Sequence, residues 1–323
     1  MSGHDFSRHI VCALVLDALV GDPRWFPHPA KLTGRLALRL ERMLRPRIRD
    51  ERLAGAATAA VVTGSAALVT LLVTRGARRW RPWAGDVASI AVLCTTLAAR
   101  DLAGHALAVQ AALEAGDLEA ARALVGRMVG RDVATLDEAG VVRAAVESVA
   151  ENTVDGVTGP LFYAYLGGSV TAAAYKAVST LDSTFGHHNE RYERFGWAAA
   201  RADDLANLLP TRLTVAATFI AAALLGLRPL GVLAVCARDG RKHPSPNSGW
   251  AEAAMAGALG VQLGGPLSRE GRIVVQPTLG DALEPLKPVH IRQAVRMMVV
   301  TTAVWNGLLA AGAALLREGR PAG

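Results

Sequence analysis

Three blocks of this chain, residues 53–74, 157–175 and 297–316, carry no charged side chain. Each approaches the roughly 20 residues that a helix needs to span a hydrocarbon core. In lipid, the backbone is satisfied only as helix or closed barrel. Residues 213–237 form a longer apolar stretch, interrupted by Arg228 and Pro229, that reads as one span or a bent pair. Residues 87–99 are apolar but short, the length of a buried or re-entrant helix. The sequence predicts an all-α fold: a multi-pass integral membrane helical bundle with about five membrane helices.

A net charge of +7 and a pI near 9.8 raise nucleic acid as a partner. The arginines, however, flank the apolar blocks, and the chain has no zinc-ligand spacing, RNP-like motif or aromatic–basic interleaving. They fit anchoring against membrane lipid, and no nucleic-acid partner is expected. A basic face would also draw anionic substrates. Residues 31–52 predict a basic amphipathic helix, lying in the headgroup layer or presenting a solvated face. Arginines stand on both sides of the first apolar block, so the positive-inside count sets no orientation. Cys12, Cys94 and Cys236 lie singly in apolar stretches, as packed thiols. Residues 10–20 are broken by Asp17 and followed by Gly21-Asp22-Pro23, unlike a signal peptide with its small-residue cleavage site.

Residues 100–146 differ in kind: charged, rich in Ala and Leu, and free of long apolar runs. They predict a water-exposed helical insert within a single membrane-embedded domain of residues 1–323. Asp117 would cap one of its helices, and Thr135 to Glu138 has capping-box spacing. Ser248 is a candidate cap for a later Ala-rich helix, and residues 269–286 read as a polar connection.

Chemistry concentrates between Glu147 and Pro210. Glu147, Glu151 and Asp155 are spaced by four, so an unbroken α-helix would stack three carboxylates that repel one another. Arg143, one turn earlier, is the candidate to neutralise Glu147. For Glu151 and Asp155 a divalent cation is the economical partner, because Mg²⁺ takes one or two carboxylates plus substrate phosphates. Asp203, Asp204 and Asn207 form a second group, which an acidic first helical turn would also explain. Lys176 ends an apolar block, either snorkelling to the interface or binding phosphate. His187 and His188 have no metal-ligand partner at suitable spacing. The proline-rich loops around His28 and His243 supply rigid backbone and few nucleophiles. Gly-x-Ser-x-Gly, Walker and His-Glu-x-x-His motifs are absent. The residues alone describe an intramembrane, Mg²⁺-dependent, phosphate-handling site.

Several segments also resemble a known family. They are Leu16-Asp17 with Gly21-Asp22-Pro23-Arg24-Trp25 and Pro27-His28-Pro29, the run from Glu147 to Gly156, and Thr180-Leu181-Asp182-Ser183. Asn189-Glu190-Arg191-Tyr192 follows, then Ala200-Arg201 with Asp203-Asp204-Leu205-Ala206-Asn207, and His243 to Trp250 with Glu252. In this order they resemble the CobD/CbiB family of cobalamin-biosynthesis proteins, the adenosylcobinamide-phosphate (cobinamide) synthases.

The resemblance implies an enzyme of the cell (inner, cytoplasmic) membrane with its active site at the cytoplasmic face. It would be an ATP-dependent ligase joining (R)-1-amino-2-propanol, or its O-phosphate, to the ring D propionate of adenosylcobyric acid. It implies ATP and Mg²⁺ as cofactors, and association as a homo-oligomer or with other late cobalamin-pathway enzymes. Glu151, Asp155, Asp203 and Asp204 would be catalytic, with Glu151, Asp155, Asp203 and Asn207 holding the metal. Substrate or phosphate would meet Asp22, His28, Asn152, Lys176, Asp182, Asn189, Arg201, Asn207, His243, Ser245, Asn247 and Glu252. Two departures stand out. His187-His188 replaces an aromatic and a basic residue, and a histidine is mostly uncharged at neutral pH. After Leu263-Gly264-Gly265-Pro266, the usual Asn/Tyr/Gly-rich turn reads Leu267-Ser268-Arg269-Glu270-Gly271. The competing classes are an Mg²⁺-dependent intramembrane prenyltransferase and a non-enzymatic corrinoid carrier or membrane sensor akin to the AmpE group.

Overall fold

Long apolar runs with caps at their ends make this chain helical almost throughout. A computed structural model describes residues 3–21, 29–186, 189–269 and 271–318. In chain order it holds α1 (Gly3–Val20), α2 (Pro29–Leu44), α3 (Glu51–Trp80), α4 (Pro82–Cys94), α5 (Ala99–Glu114), α6 (Leu118–Val125) and α7 (Glu138–Thr153). A π-helical turn, Val154–Thr158, leads into α8 (Gly159–Gly167), α9 (Ser169–Phe185), α10 (Trp197–Leu224), α11 (Pro229–Asp239) and α12 (Ser248–Leu259). The hairpin β1 (Leu263–Arg269) and β2 (Arg272–Leu279) then precedes α13 (Val289–Glu318). Among the described residues, four segments are long and apolar enough to cross a membrane: Glu51–Trp80, Pro82–Glu114, Trp197–Leu224 and Val289–Gly312. The second of these is α4 and α5 with a break between them. The protein is a helical membrane protein.

Two expected features take different forms, and a third resolves between its two alternatives. The uncharged block 157–175 is not one span. It breaks at Gly168, whose φ of 73° a side chain would strain, and the Thr171 hydroxyl bonds the Tyr163 carbonyl at 2.5 Å. Block 213–237 is the bent pair, α10 ending before Pro229 opens α11. The basic amphipathic helix is also shorter than 31–52, since α2 stops at Leu44.

The chain divides into two compact units. Met1–Ala98 and Asp155–Asn207 make the first; Ala99–Val154 and Leu208–Gly323 make the second. In the first, α2, α3 and α9 pack around Leu181, Phe185 and Phe195. Gly55 lets α3 pass directly over the Phe195 carbonyl, which an added Cβ would meet at 1.8 Å. Glu41 is buried there, bound by Arg45 at 3.2 Å and Arg191 at 2.9 Å. The Asn189–Tyr192 motif therefore includes a structural arginine.

In the second unit, α5, α7, α12 and α13 pack together. Residues 100–146 form α5, α6 and the first half of α7 within it. Gly231 and Gly257 bring α11 and α12 so close that a Cβ on either would meet the other's carbonyl oxygen at 2.3 Å. Asp117 caps α6 through the Ala120 amide at 2.9 Å. For α7 the cap is Asp137, bonding the Gly140 amide at 2.8 Å, rather than Thr135. Residues 263–279 form an antiparallel hairpin, whose second strand lies in the 269–286 stretch expected to be a polar connection, with a register shift between Gly264 and Pro266.

Candidate active site

The first unit gathers the Asp203 group. Asp203 and Asn207 sit one turn apart on α10, and the Asn207 amide donates to Asp203 Oδ2 at 3.0 Å. Asn207 Oδ1 accepts the Tyr175 hydroxyl at 2.7 Å, which fixes the orientation of the amide. Tyr175, from α9, stacks on Tyr163 of α8 with ring centroids 4.9 Å apart. Tyr163 in turn donates to the Ala206 carbonyl at 3.1 Å. That carbonyl is available because Pro210, one turn on, has no N–H to donate. A helix-breaking residue thus aligns the polar face of α10.

What remains is one unsatisfied atom. Asp203 Oδ1 is buried and has no hydrogen-bond partner. Charges acting on this carboxylate come from Asp182, Asp204 and the ammonium of Lys176. Asp155 and Asp203 both act on Tyr175. Arg201 reaches Asp204 at 3.4 Å from an exposed position. An orphaned carboxylate oxygen among further carboxylates is what a cation would satisfy. Among the described residues, no group of three or more His, Cys, Asp or Glu side chains forms a ready metal cage. A partial set still fits Mg²⁺, which keeps waters and substrate phosphates in its shell.

The second unit gathers three glutamates. Glu147, 3% exposed, accepts the Gly264 amide at 2.6 Å on one oxygen and the Arg131 guanidinium on the other. Arg131, not Arg143, neutralises it. Arg143 instead donates to the Gly264 and Pro266 carbonyls at 2.7 and 3.2 Å, so both residues bolt α7 to β1. Glu252 of α12 is 4% exposed. Burial, then the charges of Glu151 and Glu147, push its carboxyl well above the usual range, and it shares a hydrogen bond with Glu151.

Asn152 folds back onto the Ser148 carbonyl at 2.9 Å. The stacking expected of Glu151 and Asp155 required an unbroken α-helix, and π geometry begins at Val154. Pro160 explains the change. It cannot donate to the Gly156 carbonyl, which accepts the Ala98 amide at 3.0 Å instead.

The loop from His243 to Asn247 is held by its own side chains. His243 Nδ1 accepts the Ser245 amide at 3.0 Å, which places the neutral ring's proton on Nε2. Ser245 Oγ accepts the Asn247 and Ser248 amides at 3.3 and 3.2 Å. Asn247, not Ser248, occupies the cap position of α12. Arg212 secures Asn247 Oδ1 at 2.6 Å and lies over the Trp250 ring. Asn189 closes its own turn by accepting the Tyr192 amide at 3.1 Å. Asp22, His28, His187 and His188 lie outside the described residues.

Sequence reasoning passed over Arg131, Tyr163, Tyr175, Arg212 and Asp239. Asp239 is buried between Arg238 and Lys242 and accepts the Gly280 amide at 2.9 Å. The hydrogen bonds from Arg238 hold it far below the usual carboxylate range. Its flanking cations were the only signal available.

Both groups lie within the stretch that matches known proteins. The family described as CobD/Cbib protein matches residues 10–298. The chain belongs to the CobD/CbiB family. A cobalamin biosynthesis protein CobD of Geobacter metallireducens is 50% identical over 289 residues, covering 90% of this chain and 91% of the relative. A CobD of Pelobacter propionicus is 45% identical over 308 residues, covering 95% of each. A cobalamin biosynthesis protein CbiB of Salmonella typhimurium is 42% identical over 302 residues, covering 93% and 95%. No solved structure matches the chain. Membership of the CobD/CbiB family gives the protein a role in cobalamin biosynthesis.

Proposed function

We propose that this protein is the amide-forming enzyme that links aminopropanol, free or as its O-phosphate, to the ring D propionate of adenosylcobyric acid. The observation that carries this is the buried, unpartnered Oδ1 of Asp203, set among carboxylates with one lysine. A carboxylate does not react with an amine at neutral pH without activation. ATP would supply the phosphoryl group that makes the propionate an acyl phosphate, with Mg²⁺ neutralising the phosphate oxygens.

Asp203 with Asn207 would hold the cation together with waters and substrate phosphates, and Asp155, Asp182 and Asp204 would add negative charge around it. Lys176 and Arg201 would balance phosphate charge. Tyr175 and Tyr163 keep Asn207 and its helix in register. A carboxylate of this same group would accept the proton that the substrate ammonium loses before attack. That attack forms the C–N bond, and the C–O bond to phosphate breaks. The self-braced loop of His243, Ser245 and Asn247 would grip the corrinoid or the amine. ATP is cytosolic, which favours a site opening to the cytoplasmic face of the cell membrane.

The test uses purified protein in detergent with adenosylcobyric acid, Mg²⁺ and either amine, with and without ATP, following corrinoid products by mass. Amide formed only with ATP supports the synthase and identifies its amine. Tight corrinoid binding with no amide from either amine would overturn the proposal in favour of a carrier.

A further inference from the structure

From the geometry of the first unit, we infer that the protein holds one anionic phospholipid, its acyl chain in a groove between α3, α9 and α10 and its headgroup at Arg52. The groove has a volume of about 230 Å³ and is lined by Ala59 and Thr63 of α3, Val178 of α9, and Ala199 and Ala202 of α10. That is below the roughly 300 Å³ at which small-molecule sites begin, so it is too small for a nucleotide or a corrin macrocycle. Part of a single hydrocarbon chain fits it, the rest lying along the open, lipid-facing side of the groove. Both α3 and α10 have the length and hydropathy of membrane spans, so the surrounding solvent is lipid.

The headgroup end is marked by charge. Arg52, Ala59 and Thr63 are spaced by seven and eleven residues, which places them on one face of α3 over about 16 Å of helix. The Arg52 guanidinium lies over the Trp197 ring, 5.4 Å from its centroid. Trp197 is 45% exposed at the start of α10. A tryptophan with an arginine at a helix end suits the headgroup layer. The arginine selects an anionic headgroup. Both the chain and the charge of the ligand are therefore specified, and neither depends on the proposed reaction.

Native mass spectrometry of the full chain, after delipidation in detergent, tests this. Phosphatidylglycerol, phosphatidylcholine with the same acyl chains, and inorganic phosphate are added separately. One phosphatidylglycerol should bind per chain, more tightly than phosphatidylcholine, and inorganic phosphate should not bind. Arg52→Gln should weaken phosphatidylglycerol about fivefold and remove the preference over phosphatidylcholine. Ala60→Phe, made at an exposed position bordering the groove, should weaken both lipids in protein whose melting temperature is unchanged. Lipid binding unaltered in both variants would overturn the inference. So would a lipid-independent dimer that Ala60→Phe dissociates, because the groove would then seat a second copy.

Discussion

Glu147 is a buried carboxylate and Asp203 a partly buried one with a buried oxygen, both in helices beside long apolar stretches, yet their oxygens are treated in opposite ways. Glu147 has each oxygen occupied, one by the Arg131 guanidinium and one by the Gly264 amide. Asp203 has one oxygen on Asn207 and the other buried without a partner, with further carboxylates around it. A buried charge that is fully paired ties elements together. One that is half satisfied among like charges is kept for something that arrives later. Sequence spacing had paired Glu147 with Arg143, and its hydrogen bonds place it in the scaffold with Arg131 and the Gly264 amide instead.

The largest expected effect breaks the scaffold side of this contrast. Glu147→Gln leaves the Arg131 side chain, 14% exposed, without its counter-charge. Losing one partner of a buried pair costs about 3–5 kcal/mol, so thermal unfolding in detergent should shift far downward. Product per folded molecule should change little.

Asp203→Asn attacks the other side. The new side chain can still accept from Asn207, and one charge leaves a crowded acidic group, so the melting temperature should hold or rise. Turnover should fall about 100-fold or more, the scale seen when a charge-stabilising group is removed. Tyr175→Phe sharpens the contrast with a smaller effect. It removes one hydrogen bond to Asn207, about 1 kcal/mol of stability. Turnover should drop by less than in Asp203→Asn, because the tyrosine positions the amide and would not itself touch the proposed cation.

The smallest effects are in pH. Glu252, with its folded pKa raised, binds more protons folded than unfolded. Its contribution is complete below the ordinary value of 4.5 and is lost as pH rises through the raised value. Asp239, depressed by Arg238, does the reverse. Its contribution is present above the ordinary 3.8 and is lost as pH falls through the lower value. Melting temperatures measured across pH should lose the first slope in Glu252→Gln and the second in Asp239→Asn.

The helical class and the segments around both acidic groups were legible, because apolar blocks and clustered polar side chains are one-dimensional signals. Asp203 and Asn207, four apart on one helix, could be paired by spacing alone. The partners of Glu147 could not. Arg131 lies 16 residues away and Gly264 117 residues away, and Arg143 at helical spacing was the better local guess. Prolines were the other blind spot. Pro160 and Pro210 do more than interrupt helices, since each frees a carbonyl that a distant N–H or O–H then takes. Gly264, Gly265 and Pro266 form the irregular start of a hairpin that the reading of residues 269–286 as a polar connection missed.

One experiment sets the two carboxylates directly against each other: melting temperature and amide-forming turnover, measured on the same preparations of Glu147→Gln and Asp203→Asn. The expected result is a crossed pair, Glu147→Gln unstable but active when folded, and Asp203→Asn stable but nearly inactive. An Asp203→Asn protein that melts early and turns over normally would contradict the assignment of Asp203 to the chemistry.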